Sequence, residues 1–264
     1  MIVDLAGKAT VYRFALLSGF PELVHGVFTR DGGTSAPPFD SLNTSYGVGD
    51  DDRRVAANRQ IIASWTGGMR LAAIRQVHGT RVHDFDDPGA DHTPGRRPAP
   101  EADAAVTRRP GTALLVQVAD CQPVMLYDPR RKVVANVHSG WRGSIENIIG
   151  RTVAAMAADF GCRPRDLVAG IGPSLGPCCA EFVNYAVEIP KAFWCYRRGA
   201  NHFDFWAASR DQLTAAGVPE GSIEIGGICT RCHPRLFFSY RQQHKTGRFG
   251  AVIGLKPVSD PGDR

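Results

Sequence analysis

Residues 114–143 read LLVQVADCQPVMLYDPRRKVVANVHSGWRG, and this segment decides the fold that the sequence predicts. It contains three short apolar runs that include β-branched residues and end at turn residues, which is typical of buried strands. These runs are residues 114–118, 124–127 and 133–137. Asp120 and Cys121 follow the first run, and His138 follows the third. We therefore expect two strand ends to present a thiol and an imidazole to one pocket.

Patterns on either side of this segment predict further strands and three helices. The alternation of Tyr12, Phe14 and Leu16 predicts an opening strand. The other predicted strands are residues 24–28, 71–77, 168–171, 223–228, 237–240 and 251–255. The predicted helices are residues 55–65, 145–160 and 206–216. Ser144 is the expected N-cap of the second helix.

Two long segments are rich in turn-forming residues. Residues 29–52 are dense in Gly, Pro, Ser, Asn and Asp, which predicts an ordered surface loop whose last acidic residues cap the following helix. Residues 86–102 are rich in Pro, Gly and Asp, which predicts a flexible excursion. No internal repeat or clear domain boundary is visible, so we expect one domain over residues 1–264.

The composition, 43% hydrophobic and 22% charged, is that of a folded protein. The net charge of +5 is spread over separate arginine pairs, so we expect a small anionic substrate rather than a nucleic acid. No apolar segment reaches the roughly 20 residues that a membrane-spanning helix needs, and the N-terminus does not resemble a secretory signal. The odd number of cysteines, 7, argues against a disulfide-stapled secreted module. We therefore expect a cytoplasmic protein that does not bind membranes.

His78, Cys121 and His138 form the first candidate site. Each follows a predicted strand, and Gly79 permits a turn after His78. Two histidines and a cysteine match a zinc site that has three protein ligands and an open fourth position. Zinc at such a site deprotonates the thiol and lowers the pKa of a bound water to roughly 7. Asp120, beside the cysteine, would orient an imidazole or exchange a proton with substrate. Its alternative role is to cap the turn.

Three other interpretations use the same residues. In the first, Cys121 is a small buried residue and the histidines have no special role. In the second, Cys121 is the nucleophile of a cysteine hydrolase, with His138 as its base and Asp120 as the orienting group. In the third, copper replaces zinc, and Met125 is a distant ligand. The sequence contains no His-x-His pair of the sort that multicopper clusters use, so copper is the weaker choice.

The remaining cysteines give weaker signals. The motif CTRCH at residues 229–233, which contains Cys229 and Cys232, resembles half of a metal or redox motif. A second half is missing, so we expect a chance combination of loop residues. The adjacent Cys178 and Cys179 are expected to be packing residues in a turn.

Several cations near these motifs suit a phosphate or a carboxylate. They are Arg75, Arg142, Arg241, Lys245 and Arg248. Gly140 and Gly143 flank Trp141 and Arg142, which indicates a close approach of the backbone there. That feature favours Arg142 as a functional cation.

A series of motifs runs in order along almost the whole chain. The motifs are TRDGGTSAPPFDSLN, VGDD, RQVHG, EADAAVT, VADCQP, NVHSGWRG, IGPSLGPCCAEF, FFSYR and TGR. With these motifs, the sequence resembles the YfiH/YlmD family. Members of this family are also labelled multicopper polyphenol oxidase or laccase-domain proteins and are regarded as purine nucleoside phosphorylases.

The resemblance implies a fold, a metal site and an activity. The fold is α+β, a single domain built as an α/β/β/α layered sandwich of mixed sheets. The metal site is zinc held by His78, Cys121 and His138, with copper as the less favoured ion. The activity is phosphorolysis of adenosine, inosine and methylthioadenosine, together with adenosine deamination, so purine nucleosides and phosphate are the expected partners.

The mechanistic hypothesis assigns a role to each nearby residue. Cys121, Asp120 and Arg142 are catalytic, whereas Arg75 and Gln76 bind substrate. Arg75 and Arg142 position phosphate for attack on the ribose C1′, while the site stabilises the departing purine. Deamination requires attack of an activated water on C6 of adenine.

Three alternatives belong to other functional classes. They are a zinc amidase-like hydrolase that edits peptidoglycan precursors, a copper-dependent polyphenol oxidase, and a partner-binding protein without enzymatic activity.

Overall fold

The computed structural model describes residues 1–87 and 99–257. Its strands are β1 (Ile2–Ala6), β2 (Ala9–Arg13), β3 (Leu23–Phe28), β4 (Arg70–Ala73), β5 (Val82–Asp84), β6 (Ala104–Thr107), β7 (Thr112–Val118), β8 (Gln122–Asp128), β9 (Val133–Ser139), β10 (Val168–Ile171), β11 (Arg197–Arg198), β12 (His202–Phe203), β13 (Ile223–Ile225) and β14 (Phe249–Leu255). Its α-helices are α1 (Ala15–Ser18), α2 (Asp52–Trp65), α3 (Trp141–Ile145), α4 (Ile148–Phe160), α5 (Tyr185–Glu188) and α6 (Phe205–Ala215). Most of the excursion predicted over residues 86–102 lies outside the described residues.

Two mixed sheets of six strands each form the centre of the fold. The first sheet has the order β1, β2, β3, β14, β7, β4, and the second has the order β13, β10, β8, β9, β6, β5. The pairs β4 with β7, β5 with β6, and β10 with β13 are parallel. The strands predicted within residues 114–143 are confirmed as β7, β8 and β9, which lie inside these sheets.

The sheets pack face to face, and helices cover their outer faces. Alternate residues of a strand point to opposite faces, so Leu114 of β7 lies in the core between the sheets, whereas Leu115 packs under α2. In β8, Met125 faces the other sheet and Leu126 faces the layer formed by α4 and α6. Both faces are buried, which explains why these strands have continuous apolar sequences. The predicted α/β/β/α sandwich of mixed sheets is confirmed, while the single domain over residues 1–264 stays a prediction.

The loop over residues 29–52 is ordered, as predicted, and a buried asparagine of α2 holds it in place. Asn58 of α2 is completely buried and donates hydrogen bonds to the carbonyl oxygens of Ser41 (3.0 Å) and Asn43 (2.8 Å). The side-chain oxygen of Asn43 in turn accepts a hydrogen bond from the backbone N–H of Arg248 (2.9 Å). The loop therefore connects α2 to an arginine near the predicted site.

The single helix predicted over residues 145–160 is wrong, because the chain forms α3 and α4 instead. Asn147, in a left-handed conformation with φ of 59°, separates them and caps α4 by accepting a hydrogen bond from Gly150 N. Ser144 is not the cap. It lies within α3, and its hydroxyl is 2.9 Å from that of Ser139. Helical periodicity marks the buried face on both sides of such a break but does not reveal the break.

The strand predicted over residues 237–240 is also wrong, and the opening strand is confirmed only as far as Arg13. Phe237 and Phe238 are completely buried, but the N–H of Phe237 bonds to the carbonyl of His233 (3.1 Å) in a turn rather than to a strand. The alternating pattern begins at Tyr12 in β2, but the strand ends at Arg13 and the chain continues as the helical turn α1. A short apolar run indicates burial and does not by itself distinguish strand from turn.

Along the part of the chain that the structure describes, the helices lack the combination of length and apolar character that a membrane crossing requires.

Candidate metal centre in an arginine-lined cleft

The fold brings His78, Cys121 and His138 together. Cys121 lies in the turn between β7 and β8, and His138 lies near the end of β9. Because Pro123 of β8 pairs with His138 in the antiparallel register, the residue that precedes β8 comes next to the imidazole. His78 arrives from the loop after β4, with its Nε2 4.0 Å from the Sγ of Cys121. One ligand atom from each residue lies within 4.8 Å of the other two.

Two residues at this site have left-handed backbone conformations. His78 has φ of 60° and Asp120 has φ of 86°. Residues other than glycine rarely adopt such angles, and they cluster at functional sites where the surrounding structure holds them. Here the two turns bring the His78 and Cys121 side chains into the same space.

Asp103 orients the histidines, and sequence reasoning missed it. Its carboxylate is completely buried, and Oδ1 lies 2.8 Å from Nδ1 of His138. The carboxylate also accepts hydrogen bonds from the backbone N–H groups of His78 (2.9 Å) and Gly79 (2.6 Å). With Nδ1 engaged, Nε2 of His138 is its ligand atom, which is the usual arrangement of a metal-binding histidine. The motif EADAAVT contains Asp103, but nothing local distinguishes it from a turn residue.

Cys121 and His138 each stabilise the charged form of the other. Burial raises the pKa of the Cys121 thiol, but His138 and the hydrogen bonds from both histidines outweigh it and lower this pKa to about 6. Burial likewise lowers the pKa of His138, yet the thiolate and Asp103 raise it to about 9. These groups by themselves therefore favour a thiolate and an imidazolium at neutral pH. Binding of a cation would use the thiolate and release the imidazolium proton.

The donor set fits a metal ion, and the backbone leaves room for the ligands. A Cβ at Gly140 would lie 3.0 Å from Cδ2 of His78 and 3.3 Å from Sγ of Cys121, so a larger residue there would require the two ligands to shift. Two imidazoles and a thiolate are zinc ligands. Met125, the distant ligand in the copper interpretation, is completely buried between the sheets and does not line the cleft. The copper interpretation therefore lacks its distant methionine ligand among the residues of the cleft.

The Asp120 carboxylate bonds to Thr230 and Arg241 rather than to a histidine. Its Oδ1 accepts a hydrogen bond from the hydroxyl of Thr230 (2.6 Å), and its Oδ2 accepts one from the backbone N–H of Arg241 (2.6 Å). The interpretation in which Asp120 orients His138 is wrong, because the carboxylate that bonds to Nδ1 of His138 belongs to Asp103. Proton exchange between Asp120 and a substrate stays a prediction.

A cleft of ≈ 1720 Å³ lies over the three ligands. All of the predicted site residues line it: Arg75, Gln76, His78, Asp120, Cys121, His138 and Arg142. Further lining residues, most of them not predicted, are cationic or aromatic: Arg59, Arg70, Trp141, Phe182, Tyr240, Arg241 and Arg248. Lys245, one of the predicted cations, is not a lining residue. Such a cleft suits a ligand that combines an anionic group with a planar ring.

Two rings on one side of the cleft, Trp141 and Phe182, form what we call the aromatic wall. Their centroids are 5.7 Å apart in an edge-to-face arrangement. The Arg142 guanidinium lies 4.2 Å from the centroid of Trp141, and the Arg241 guanidinium lies 5.7 Å from that of Phe182. Both cations are therefore held against apolar surface at the edge of the cleft.

The remaining predicted residues have partners within the protein. The Gln76 amide donates to the carbonyl of Gln117 (2.8 Å) and accepts from its N–H (2.8 Å), so it fastens the loop after β4 to β7. Arg75 forms an exposed ion pair with Glu101. Contact of Arg75 or Gln76 with a substrate stays a prediction.

Arg248 is a half-buried cation of the cleft. Its guanidinium donates to the carbonyl oxygens of Thr246 (2.9 Å) and Gly247 (3.0 Å). Burial lowers its pKa, and attraction to Cys121 and Asp120 partly compensates. Its charge therefore acts on Cys121 and Asp120.

Two packed mixed sheets with a His, Cys, His group in an open cleft define an α/β/β/α protein with a candidate metal site. A profile of the family described as "Multi-copper polyphenol oxidoreductase laccase" matches residues 24–256, and the chain belongs to this family.

Relatives and solved structures support this assignment. The chain is 32% identical over 261 residues to a "Purine nucleoside phosphorylase" of Bacteroides thetaiotaomicron, covering 94% of this chain and 97% of the relative. It is 34% identical over 251 residues to "Purine nucleoside phosphorylase YlmD" of Geobacillus stearothermophilus, covering 90% and 92%. The crystal structure of that YlmD superposes with a TM-score of 0.85 at 31% identity, covering 96% of this chain and 98% of the other. The crystal structure of the Bacillus licheniformis hypothetical protein YfiH also gives 0.85, at 30% identity with 96% and 99% covered. The resemblance to the YfiH/YlmD family is thereby confirmed.

Proposed function

We propose that this protein is a zinc-dependent purine nucleoside phosphorylase that accepts adenosine, inosine and methylthioadenosine and also deaminates adenosine. The observation that carries the proposal is the cleft, in which a metal-ligand group lies beside arginines and aromatic rings. The names of relatives that match most of the chain at 32% and 34% identity support it.

Phosphorolysis joins an oxygen of inorganic phosphate to C1′ of the ribose. The bond between C1′ and the purine nitrogen breaks, and the base leaves with a proton. Arginines suit the phosphate because their guanidinium groups donate paired hydrogen bonds to its oxygens. We assign this role to Arg142 and Arg248, with Arg75 at the rim, and we place the purine against the aromatic wall.

Deamination uses the same cleft for different chemistry. Water adds to C6 of adenine, and ammonia leaves to give inosine. A zinc ion held by His78, Cys121 and His138 would polarise the reacting group and lower the pKa of a water molecule. Asp120 lines the cleft beside Cys121, and we assign it the proton transfers.

The direct test is release of hypoxanthine from inosine and phosphate by the purified protein. We expect release to require phosphate and to yield an equal amount of ribose 1-phosphate. Cys121→Ser should lower the rate at least about 100-fold, since it removes a metal ligand. Cys195→Ser is the matched control, because Cys195 is exposed and does not line the cleft.

Several outcomes would contradict the proposal. Release without phosphate would indicate a hydrolase, and full activity in Cys121→Ser would remove the metal centre from the mechanism. Deamination is tested separately, as ammonia release from adenosine without phosphate. Elemental analysis must find zinc in the active protein, and Cys121→Ser must lose one zinc ion per chain together with its activity.

The family description favours a second candidate function, a copper-dependent polyphenol oxidase. Oxygen consumption with a polyphenol, measured on protein loaded with copper or with zinc, decides between the two. We expect no consumption in the zinc form that releases hypoxanthine.

We also propose the cytoplasm as the location. Cell fractionation tests this.

A further inference from the structure

We propose that the protein has a second metal site, in which Cys178, Cys179, Cys229 and Cys232 hold a structural Zn²⁺ ion through four thiolates. The four Sγ atoms all lie within 4.8 Å of one another. None of the four residues belongs to the His, Cys, His group or lines the cleft above it. The site therefore goes beyond the proposed activity and does not depend on it.

The distances between the sulfur atoms match a tetrahedral zinc site. The Sγ of Cys232 lies 3.6 Å from that of Cys178 and 3.5 Å from that of Cys179. With zinc–sulfur bonds of about 2.3 Å, the edge of a tetrahedron is about 3.8 Å. A disulfide would require about 2.05 Å, and all four cysteines are free thiols. The cluster is therefore spaced for a shared ion rather than for bonded pairs.

Each half of the cluster lies in a turn, and the fold joins the two turns. Ser174 and Cys229 form a parallel β-bridge, with Ser174 N donating to Ile228 O (3.1 Å) and Thr230 N donating to Ser174 O (3.0 Å). Gly176 permits this approach, because a Cβ there would lie 3.1 Å from the Cβ of Cys229. The expectation that the CTRCH motif lacks a second half is wrong in three dimensions, since the adjacent cysteines of the other turn supply it.

The environment of the cluster suits a structural ion. Four protein ligands leave no open position for a substrate, which is the pattern of structural zinc. Cys179 and Cys229 are buried, whereas Cys178 and Cys232 are exposed, so an ion would enter from the exposed side. Four thiolates without a cation would repel one another, and a divalent ion removes that repulsion.

The second site would support the first through Asp120. Thr230, between the two cysteines of its turn, donates its hydroxyl hydrogen bond to Asp120 (2.6 Å). Leu175, in the other turn, donates its backbone N–H to the Asp120 carbonyl (2.8 Å). A zinc ion that joins the two turns would therefore fix the positions of Thr230 and Leu175, which both bond to Asp120. The ion acts by positioning and does not touch the substrate.

The test is a count of metal ions in protein purified under reducing conditions. The double variant His78→Ala/Cys121→Ser removes two ligands of the first site, and we expect it to retain about one zinc ion per chain. Cys178→Ser/Cys232→Ser should lose one zinc ion relative to the unmodified protein. Cys195→Ser should lose none, because this exposed cysteine lies outside both ligand groups.

A second measurement does not require variants of the four-cysteine site to fold. A mercurial reagent is added to the His78→Ala/Cys121→Ser protein, and zinc release is followed with a colorimetric chelator. We expect one zinc ion to be released as the four cysteines of the site react, in addition to the exposed Cys195. A chelator that removes this zinc should also lower Tm, since metal binding to such a site contributes to folding.

Three results would overturn the proposal. The first is a His78→Ala/Cys121→Ser protein that folds but contains no metal. The second is a disulfide among the four cysteines in the freshly purified protein, detected by mass spectrometry. The third is iron in place of zinc, which would refute the identity of the ion. Because every readout is metal content or thiol state, failure of the phosphorylase assay leaves this test unaffected.

Discussion

At the scale of single residues, the candidate site depends on groups that never touch a substrate. Asp103 is completely buried and joins His138 to the turn that carries His78, so one carboxylate sets the orientation of one ligand and the backbone path of another. Gly140 contributes by having no side chain, because His78 and Cys121 occupy the space beside it. Precise ligand geometry of this kind is what a metal site requires of its surroundings.

Gly140→Ala tests this requirement. The added Cβ would lie 3.0 Å from His78 Cδ2, so the imidazole must shift, and we expect zinc affinity at the first site to fall about 10-fold. The backbone of Gly140, with φ of −75°, accommodates alanine, so Tm should change little. Competition with a chelator measures the affinity.

Gly221→Ala is the matched control for this variant, because a Cβ at Gly221 meets nothing within 4 Å. Unchanged zinc affinity in Gly140→Ala would show that the ligands tolerate the displacement.

At the scale of secondary-structure elements, α2 links the outer layer to the cleft. Its Trp65 packs edge to face on Phe28 of β3, with ring centroids 5.2 Å apart, while Asn58 orders the loop that reaches Arg248. The N-cap of the helix is Asp51, whose carboxylate accepts hydrogen bonds from the backbone N–H groups of Arg53 (2.7 Å) and Arg54 (3.3 Å). The acidic cap predicted from the sequence is confirmed at this residue.

Asp51→Ala removes the cap and leaves these N–H groups without their side-chain partner. We expect the free energy of unfolding to fall by about 1 kcal/mol, measured by urea denaturation. Asp51→Ser is the control, because serine also caps helices and should retain most of the stability. Equal losses in the two variants would mean that the carboxylate acts through its charge rather than as a cap.

At the scale of the whole molecule, the layer between the two sheets contains a titratable group. His25 of β3 shares its strand face with Leu23 and Val27, which belong to the central core, and it is 1% exposed. Its Nε2 accepts a hydrogen bond from the backbone N–H of Phe14 (3.0 Å), and its Nδ1 has no hydrogen-bond partner among the described residues. Burial, together with the nearby positive charge of Arg13, lowers the pKa of His25 to about 4.

The shifted pKa makes stability depend on pH in a defined window. Between the folded-state pKa of about 4 and the ordinary value of 6.5, the unfolded chain binds a proton at His25 that the folded protein does not. The free energy of unfolding should therefore fall as pH decreases from about 6.5 to 4, by at most about 3 kcal/mol from this residue. Below the folded-state pKa both states are protonated, and His25 contributes no further loss.

Urea denaturation at a series of pH values measures this effect. His25→Gln should flatten the profile between pH 6.5 and 4, whereas the control His202→Gln should not. A profile that is unchanged in His25→Gln would assign the acid sensitivity to other groups.

The sequence predicts the centre of this fold better than its periphery. Residues 114–143 give three strands correctly, because strands buried on both faces need apolar side chains at successive positions. The predictions for residues 145–160 and 237–240 are wrong. The break at Asn147 and the turn around Phe237 bury the same apolar side chains with another backbone path. Local patterns report which residues are buried more reliably than they report how the chain connects them.

By itself, the sequence determined the two sheet strands that flank Cys121 and, through the family motifs, the three ligands of the candidate metal centre. The tertiary structure alone decided that Asp103 rather than Asp120 orients His138, and that Cys178 and Cys179 meet Cys229 and Cys232. The physical reason is that strand formation depends on neighbouring residues, whereas these contacts join turns that are far apart in the chain. Their distances are fixed only when β6 pairs with β9 and β10 pairs with β13 in the second sheet.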